Sequence, residues 1–438
     1  MKVKQMKRKL MDELIAWKNQ DDRKPLILRG ARQTGKTWLM EEFAKNEFDN
    51  YVKIDFMYEE NMRSLFDQDL NPERIIKEIE LRTNTRINPE HTLLIFDEVQ
   101  EAPKCITSLK YFCEKARSYH VIAAGSYMGI AVRKKDVSFP VGKVNQLTLH
   151  SMCFSEFARA VKGDVLADVL DAADMESLAS VSDVLTKCLK EYFVVGGMPE
   201  VVNSFKENSD FNYARTLQLH ILDDYDADFS KHAPARILER MRLVWKSLPS
   251  QLARENKKFI YGALRSGARA RDFEESLQWL ADYGVINKVS RVSALRMPLI
   301  SYEDISAFKL FSLDVGLLGA LASLDPASVL DGSRLFTEFK GAMTEQYVAQ
   351  ELCSKGHSLV YWSSDKGQAE VDFATSINGD ILPIEVKAGE NLQSKSLKVA
   401  CNKFNLDRCV RTSLSQYRDE GQLVNIPLWA ISSLDKLV

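Results

Sequence analysis

The sequence has little of what would mark a secreted, membrane-spanning or metal-built protein. Its seven cysteines are an odd number, scattered, with no C-x-x-C pair. That excludes a C-x-x-C zinc pair and argues against a disulfide framework. The six histidines show no metal-ligand spacing. No run reaches the roughly 18 apolar residues of a membrane span. The basic N-terminus, MKVKQMKRKL, is followed by no apolar stretch of signal-peptide kind. The expectation is a cytoplasmic protein with reduced thiols and no membrane partner. Excess charge is lacking too: 59 Lys/Arg against 61 Asp/Glu leave −2 over 438 residues. A chain coated uniformly by nucleic acid is thereby excluded, whereas local basic patches are not. The length is too great for one core and suggests two to four domains.

What is present starts with GARQTGKT, Gly30 to Thr37, a P-loop of the form G-x-x-x-x-G-K-[ST]. The apolar run PLILRG before it reads as a short buried strand, and TWLMEEFA after it as the first turns of a helix. Upstream, Leu10, Leu14 and Trp17 recur at helical spacing and read as an amphipathic first helix. Gly30, Ala31, Arg32, Gln33, Thr34 and Gly35 would wrap backbone N–H groups around the β-phosphate, where the helix N-terminus adds partial positive charge. Lys36 would reach the β- and γ-phosphates, and Thr37 would ligate Mg²⁺. The nucleotide implied is ATP with Mg²⁺.

Further apolar runs, YVKIDF, TLLIFDE and HVIAAGS, alternate with helix-compatible sequence, the pattern of a parallel sheet covered by helices. LLIFDE supplies the acids that hydrolysis needs. Asp97 ends an apolar strand, as a Walker B carboxylate holding Mg²⁺ does, and Glu98 is placed to orient or deprotonate the attacking water. Ser126, at the end of the next strand, is a candidate sensor of the γ-phosphate. Arg133 and Lys143 are further candidates for phosphate contact. No arginine finger is assigned.

Charge then changes sign along the chain. Residues 156–228 carry 15 Asp/Glu against 6 Lys/Arg, and residues 231–300 carry 14 Lys/Arg against 6 Asp/Glu. The basic stretch is a candidate DNA surface. Within it, Phe273, Leu277 and Leu280 fit one helix face, Tyr283-Gly284 a stop, and Val285-Ile286 the start of a strand. The pattern fits a winged-helix module or an ordinary helical lid or dimerisation element.

A second constellation lies near the C-terminus. AEVDFAT and ILPIEVKAG flank Asn378-Gly379, a strong hairpin signal. Glu385 and Lys387, two apart on a strand, share a face, and in-register pairing brings Asp372 to them. With Glu345 on the preceding helix, this is the core pattern of PD-(D/E)-x-K nucleases, in which Glu345, Asp372 and Glu385 hold a metal and Lys387 helps activate water. The competing reading is a cross-strand salt bridge on a solvated face.

These motifs, with FPVGKV, CFSEFARA, YFVVGGMPEVV, LARENKKFIY, KLFSLDVGLLGAL, FKGAMTEQYVAQEL, VDFATS and PIEVKAG, make the chain resemble bacterial and archaeal AAA-family ATPases with a C-terminal DUF4143 domain. The resemblance covers nearly the full length. It implies a nucleotide site at Lys36, Thr37, Asp97, Glu98 and Ser126, and a nuclease-like site at Glu345, Asp372, Glu385 and Lys387. Gly142-Lys143-Val144 stands where many relatives have G-R-V, and Ser151-Met152-Cys153-Phe154 where they have Pro-Leu/Met-Ser-Phe. The expected fold is α/β: a P-loop NTPase parallel sheet with helices on both faces (1–155), a helical acidic region (156–230), a basic winged-helix-like region (231–325) and an α/β restriction-endonuclease-like domain (330–438). The expected function is Mg²⁺-dependent ATP hydrolysis coupled to a DNA-binding middle and the nuclease-like end. An ATP-regulated nuclease, and a non-catalytic switch binding a protein partner, are the alternatives; the partners left open besides DNA are a second copy of the chain, as a homo-oligomer, or another protein.

Overall fold

The computed structural model describes residues 6–126, 138–254, 257–331, 334–364, 369–389 and 394–438. These fall into two compact units: Lys7–His150 with Asp282–Gly284, and one built from Ser151–Ala281 and Val285–Val438.

In the first unit, β1 (Leu26–Arg29), β2 (Asn50–Asp55), β3 (Thr92–Asp97), β4 (His120–Ala124) and β5 (Asn145–Thr148) form a parallel sheet ordered β2-β3-β4-β1-β5. The strands read as unbroken apolar runs because both faces are covered. Leu94 and Phe96 of β3 join one core with Ile27 and Ala123, while Leu93 and Ile95 join the other with Leu28 and Ala124. Each such fully buried aliphatic or aromatic side chain contributes about 1.5–3 kcal/mol. Helix α1 (Leu10–Lys18) buries Leu14 and Trp17 in the second of these cores, and the Trp17 indole donates to the Lys24 carbonyl at 2.8 Å. Helix α2 (Lys36–Glu47) follows the P-loop. Helix α3 (Pro72–Thr83) starts where local chemistry dictates: the Asn71 side chain accepts from Glu73 N–H and proline takes the first position. Helix α4 (Pro103–Lys115) precedes β4.

The second unit layers helices against a mixed eight-stranded sheet ordered β12-β13-β11-β10-β9-β8-β6-β7. Its strands are β6 (Ile286–Val292), β7 (Glu303–Ser312), β8 (Val360–Ser363), β9 (Glu370–Ile377), β10 (Asp380–Val386), β11 (Cys409–Ser413), β12 (Arg418–Asp419) and β13 (Leu423–Pro427). Its helices include α5 (Phe154–Lys162), α6 (Asp164–Ala172), α7 (Ser182–Val195), α8 (Pro199–Asn208), α9 (Phe211–His232), α10 (Ala235–Leu252), α11 (Ala270–Tyr283), α12 (Val315–Leu321) and α13 (Arg334–Ser354).

Three segments that the sequence offers only as family signatures meet in one buried polar hub. Asp314, fully buried, accepts from Gly197 N–H at 2.6 Å and from Leu317 N–H at 3.0 Å, capping α12. Gln350 of α13 accepts from Val315 N–H at 2.7 Å and donates to the Tyr192 hydroxyl at 2.8 Å. A Cβ on Gly197 would lie 2.0 Å from the Met152 carbonyl oxygen, so the G-G of YFVVGGMPE is required by close backbone approach. Every partner is satisfied within the hub, which is what buried polar groups need.

The basic middle of the chain departs from a self-contained winged helix. The helix, stop and strand form where expected, as α11, Gly284 at φ +84° and β6. But β6, antiparallel to β7 on one side, pairs in parallel with β8 on the other. Strands from residues 286–312 thus belong to the same sheet as the C-terminal hairpin. The sequence gives no sign of this because the β6–β8 pairing joins residues some 70 positions apart.

Candidate nucleotide site and carboxylate–lysine cluster

The P-loop needs left-handed backbone at three points. Gly30 has φ +149°, Gln33 +63° and Gly35 +92°. A Cβ on Gly30 would lie 2.3 Å from the Leu149 carbonyl oxygen. Gly35 is the N-cap of α2 and brings no side-chain cap, so the first-turn N–H groups carry the partial positive charge that suits phosphate. Lys36 is buried, its ammonium donating to the carbonyls of Gly30 (3.0 Å) and Ala31 (2.9 Å) and lying 3.4 Å from Ser126 Oγ. Burial lowers its pKa to about 8 against the pull of Glu98 and Asp97, with Arg32 adding to the lowering. The loop is braced by Arg8, whose guanidinium donates to the carbonyls of Thr34 (2.9 Å) and His150 (2.6 Å). Sequence reading missed Arg8, because a basic N-terminus gives no sign of which cation will be buried.

Thr37 Oγ1 donates to Asp97 Oδ2 at 2.6 Å. Burial raises the Asp97 pKa and the charge of Glu98 adds to this, while hydrogen bonds from Thr37 and from Glu98 N–H work against it. A hydroxyl and a buried carboxylate in contact beside the P-loop fit a Mg²⁺ ion shared with phosphate oxygens. Glu98 sits at φ +51°, a conformation costly for glutamate, and its carboxylate accepts from the Gln100 amide. Ser126 is buried at the end of β4. Of the two further phosphate candidates, Lys143 instead pairs with Glu114 at 3.0 Å. Arg133 lies outside the described residues.

In the second unit the hairpin forms at Asn378 (φ +52°) and Gly379 (φ +94°), both left-handed as the Asn-Gly turn demands. Ile384 pairs with Phe373, and Asp372, one residue on, accepts from Val386 N–H at 2.8 Å. Lys387 pairs with Glu385 at 2.5 Å. Glu345 of α13 is buried and bound by two lysines that sequence reading missed, Lys257 and, at 3.7 Å, Lys309. Lys309 has no exposed side-chain surface, pairs with Glu370 at 2.7 Å and lies 4.8 Å from the Tyr361 ring centroid. A lone lysine inside the apolar run AFKLFS was the available signal.

Burial, then the charge of Glu345, pushes Asp372 up to about 7. The buried Oε2 of Glu385 has no hydrogen-bond partner, which suits a cation, whereas that of Glu345 already faces Lys309. Yet among the described residues no three acidic, histidine or cysteine side chains gather to hold a metal ion. The expected Glu345/Asp372/Glu385 metal set is therefore not assembled, since Lys257 and Lys309 already neutralise Glu345.

Family models match three stretches: an AAA domain over residues 22–158, a domain of unknown function (DUF8612) over 186–328, and a domain of unknown function (DUF4143) over 340–431. The chain joins an N-terminal AAA domain to a C-terminal DUF4143 domain. The stretch that matches the AAA domain contains the P-loop, Asp97 and Ser126. No curated protein matches the chain. Among solved structures, the Walker-type ATPase PABY2304 of Pyrococcus abyssi is 14% identical, with 73% of this chain and 96% of that one covered and a TM-score of 0.43. The Aeropyrum pernix ORC2 protein (ADPNP–ADP complexes) is 13% identical, with 74% and 90% covered and a TM-score of 0.30. The ORC1 protein of the same organism, in complex with DNA, is 11% identical, with 74% and 92% covered and a TM-score of 0.27. At such scores nothing about activity follows from these likenesses. Among the described residues no helix is long and apolar enough to cross a membrane.

Proposed function

We propose that the chain hydrolyses ATP with Mg²⁺ and uses the change of nucleotide state to reposition a DNA-engaging second unit. The observation that supports this best is a pair of contacts between the start of α2 and the ends of neighbouring strands beside the P-loop: Lys36 Nζ lies 3.4 Å from Ser126 Oγ, and Thr37 Oγ1 donates to Asp97 Oδ2 at 2.6 Å. Backbone N–H groups of Gly30 to Gly35 hold the phosphates, and Lys36 reaches the β- and γ-phosphates. Thr37 and Asp97 hold Mg²⁺, which supplies neutralisation of phosphate charge. Glu98 orients the attacking water and takes its proton. Ser126 registers whether the γ-phosphate is present, and the loops it anchors relax when that group leaves. We take 1–155 as the ATPase part, 156–230 as a helical acidic part, 231–325 as a basic part and 330–438 as the nuclease-like part. The test is ATP turnover with and without DNA. Lys36→Ala should abolish turnover; unchanged turnover sinks the assignment.

A second reading, an ATP-regulated Mg²⁺-dependent nuclease, is favoured by the hairpin that sets Asp372 beside Glu385 and Lys387, with a buried Glu385 oxygen that accepts no hydrogen bond. Under this reading Mg²⁺ must take the place of a lysine at Glu345. Metal-dependent DNA cleavage that vanishes in Asp372→Ala supports it, and no cleavage by the wild type removes it. Absence of DNA binding even at low salt would leave a switch acting on a protein partner.

A further inference from the structure

The acidic stretch sorts its charges in space. Of its 6 Lys/Arg, Lys162, Lys187 and Lys190 line one cleft of about 950 Å³, whereas only Asp183 and Glu191 of its 15 acids do so. Lys162 and Glu191 neutralise each other at 2.8 Å. Lys187 and Lys190, three apart on α7, share a helix face and are exposed. The opposite wall is the segment after β11, which adds Arg418, itself 3.5 Å from Glu420, and bridges to α7 through Gln416 Nε2 donating to Ser182 Oγ at 2.8 Å. Phe211, half-buried, supplies an aromatic ring.

The cleft adjoins the carboxylate–lysine cluster along two elements. Lys340 of α13 has its pKa lowered by burial and then by Lys190, so the positive potential reaches the helix that carries Glu345 five residues on, a rise of roughly 7 Å. On the sheet side, Lys387 N–H donates to the Thr412 carbonyl at 2.8 Å and Leu414 N–H to that of Gly389 at 3.3 Å. The wall thus begins beside residues 387–389, just past the end of β10, the strand that carries Glu385. By contrast, several cations of the basic middle are spent on internal pairs: Arg236 with Glu275, Arg242 with Asp226, Lys257 with Glu345 and Arg291 with Asp304.

We propose that this cleft, and not the basic middle, binds the backbone of a single-stranded nucleic acid and leads it to the Asp372/Glu385/Lys387 cluster. Lysines for the phosphates and an aromatic ring for a base are the chemistry of sequence-tolerant single-strand binding. The inference rests on the DNA-engaging reading above, but not on ATP turnover or cleavage. It is tested by anisotropy of a labelled single-stranded oligonucleotide on the full chain, in EDTA and without nucleotide. Lys187→Glu/Lys190→Glu should weaken binding at least tenfold and flatten the log K against log salt slope by about 1.4, two contacts at roughly 0.7 each. Its basal ATP turnover and unfolding midpoint should match the wild type, which shows that the fold is intact. Arg240→Glu/Lys246→Glu on α10 should bind within twofold of the wild type. Loss in the α10 variant alone overturns the cleft and leaves the basic middle as the DNA face. A wild type that does not bind at low salt overturns both. Polyglutamate competing as well as the oligonucleotide overturns the nucleic-acid assignment. Asp372→Ala binding normally, whether or not it cleaves, supports the cleft independently of nuclease activity.

Discussion

Replacing Lys309 with methionine tests the charge balance of the second unit most directly. Lys309 has no exposed surface and stands 2.7 Å from Glu370 and 3.7 Å from Glu345. At an effective dielectric near 20 these contacts are worth roughly 4–6 kcal/mol each before desolvation, which costs several kcal/mol per ion. Burial by itself lowers the Lys309 pKa, but Glu345, Glu370 and Asp372 outweigh it and raise it, so the ammonium persists throughout the neutral range. Methionine fills the space, leaves Lys257 as the cation on Glu345 and takes the Lys309 charge away from Glu370 and Asp372. Removing one partner of a buried ion cluster costs about 3–5 kcal/mol. At roughly 2–4 °C per kcal/mol for domains of 150–250 residues, the fall in melting temperature is on the order of 10 °C. The pH dependence carries the sign. In the wild type Glu345 has a lowered pKa, so its share of stability is present above the ordinary carboxylate value and is lost as pH falls through the folded one. Without Lys309 the ionised Glu345 and Glu370 lose their shared cation, so the deficit is larger at pH 7 and shrinks toward pH 4. Urea unfolding from pH 4 to 8 reads this, and Lys309→Met/Glu345→Gln should recover part of the loss. A deficit under about 1 kcal/mol that is flat with pH would refute the reasoning.

Asp372→Asn keeps the oxygen that accepts from Val386 N–H but cannot ionise. The folded pKa of Asp372, about 7, lies above its ordinary value, so ionisation works against folding as pH rises through that window. The variant should be more stable than wild type above pH 7 and indistinguishable near pH 4, by thermal unfolding. Gly197→Ala sets a Cβ 2.0 Å from the Met152 carbonyl oxygen with backbone on both sides. It should cost about 3 kcal/mol as overpacking does, and a wild-type unfolding midpoint in denaturant would show that the hub yields. Gly30→Ala, 2.3 Å from the Leu149 carbonyl oxygen and at φ +149°, should weaken ATP binding at least tenfold, read by nucleotide titration.

Legibility in the sequence followed the range of the interactions. The P-loop, the strand ending at Asp97 and the Asn378-Gly379 turn were readable because each is fixed by residues within a few positions. The alternation of buried runs forecast a covered parallel sheet, and β1 to β4 formed within a residue or two of the expected limits. Glu385 and Lys387 were readable as a pair for the same reason, since period two along one strand sets their common face. The lysines holding Glu345 were not, because Lys257, Lys309 and Glu345 come from three segments that only the fold brings together. Nor was the cleft, where a stretch acidic on average presents its lysines on one wall.

By itself, then, the sequence determined local conformation and local chemistry: the left-handed glycines, the helix that follows them, the adjacent acids and the hairpin. Those follow from backbone sterics and short-range hydrogen bonding, which hold wherever the segment lies. Tertiary structure alone decided the company each charge keeps. It placed β6 beside β8, buried Arg8 under the P-loop and set Lys309 among three carboxylates. Charge interactions act through space and are strongest out of water, so their outcome was settled only when distant strands and helices closed around them.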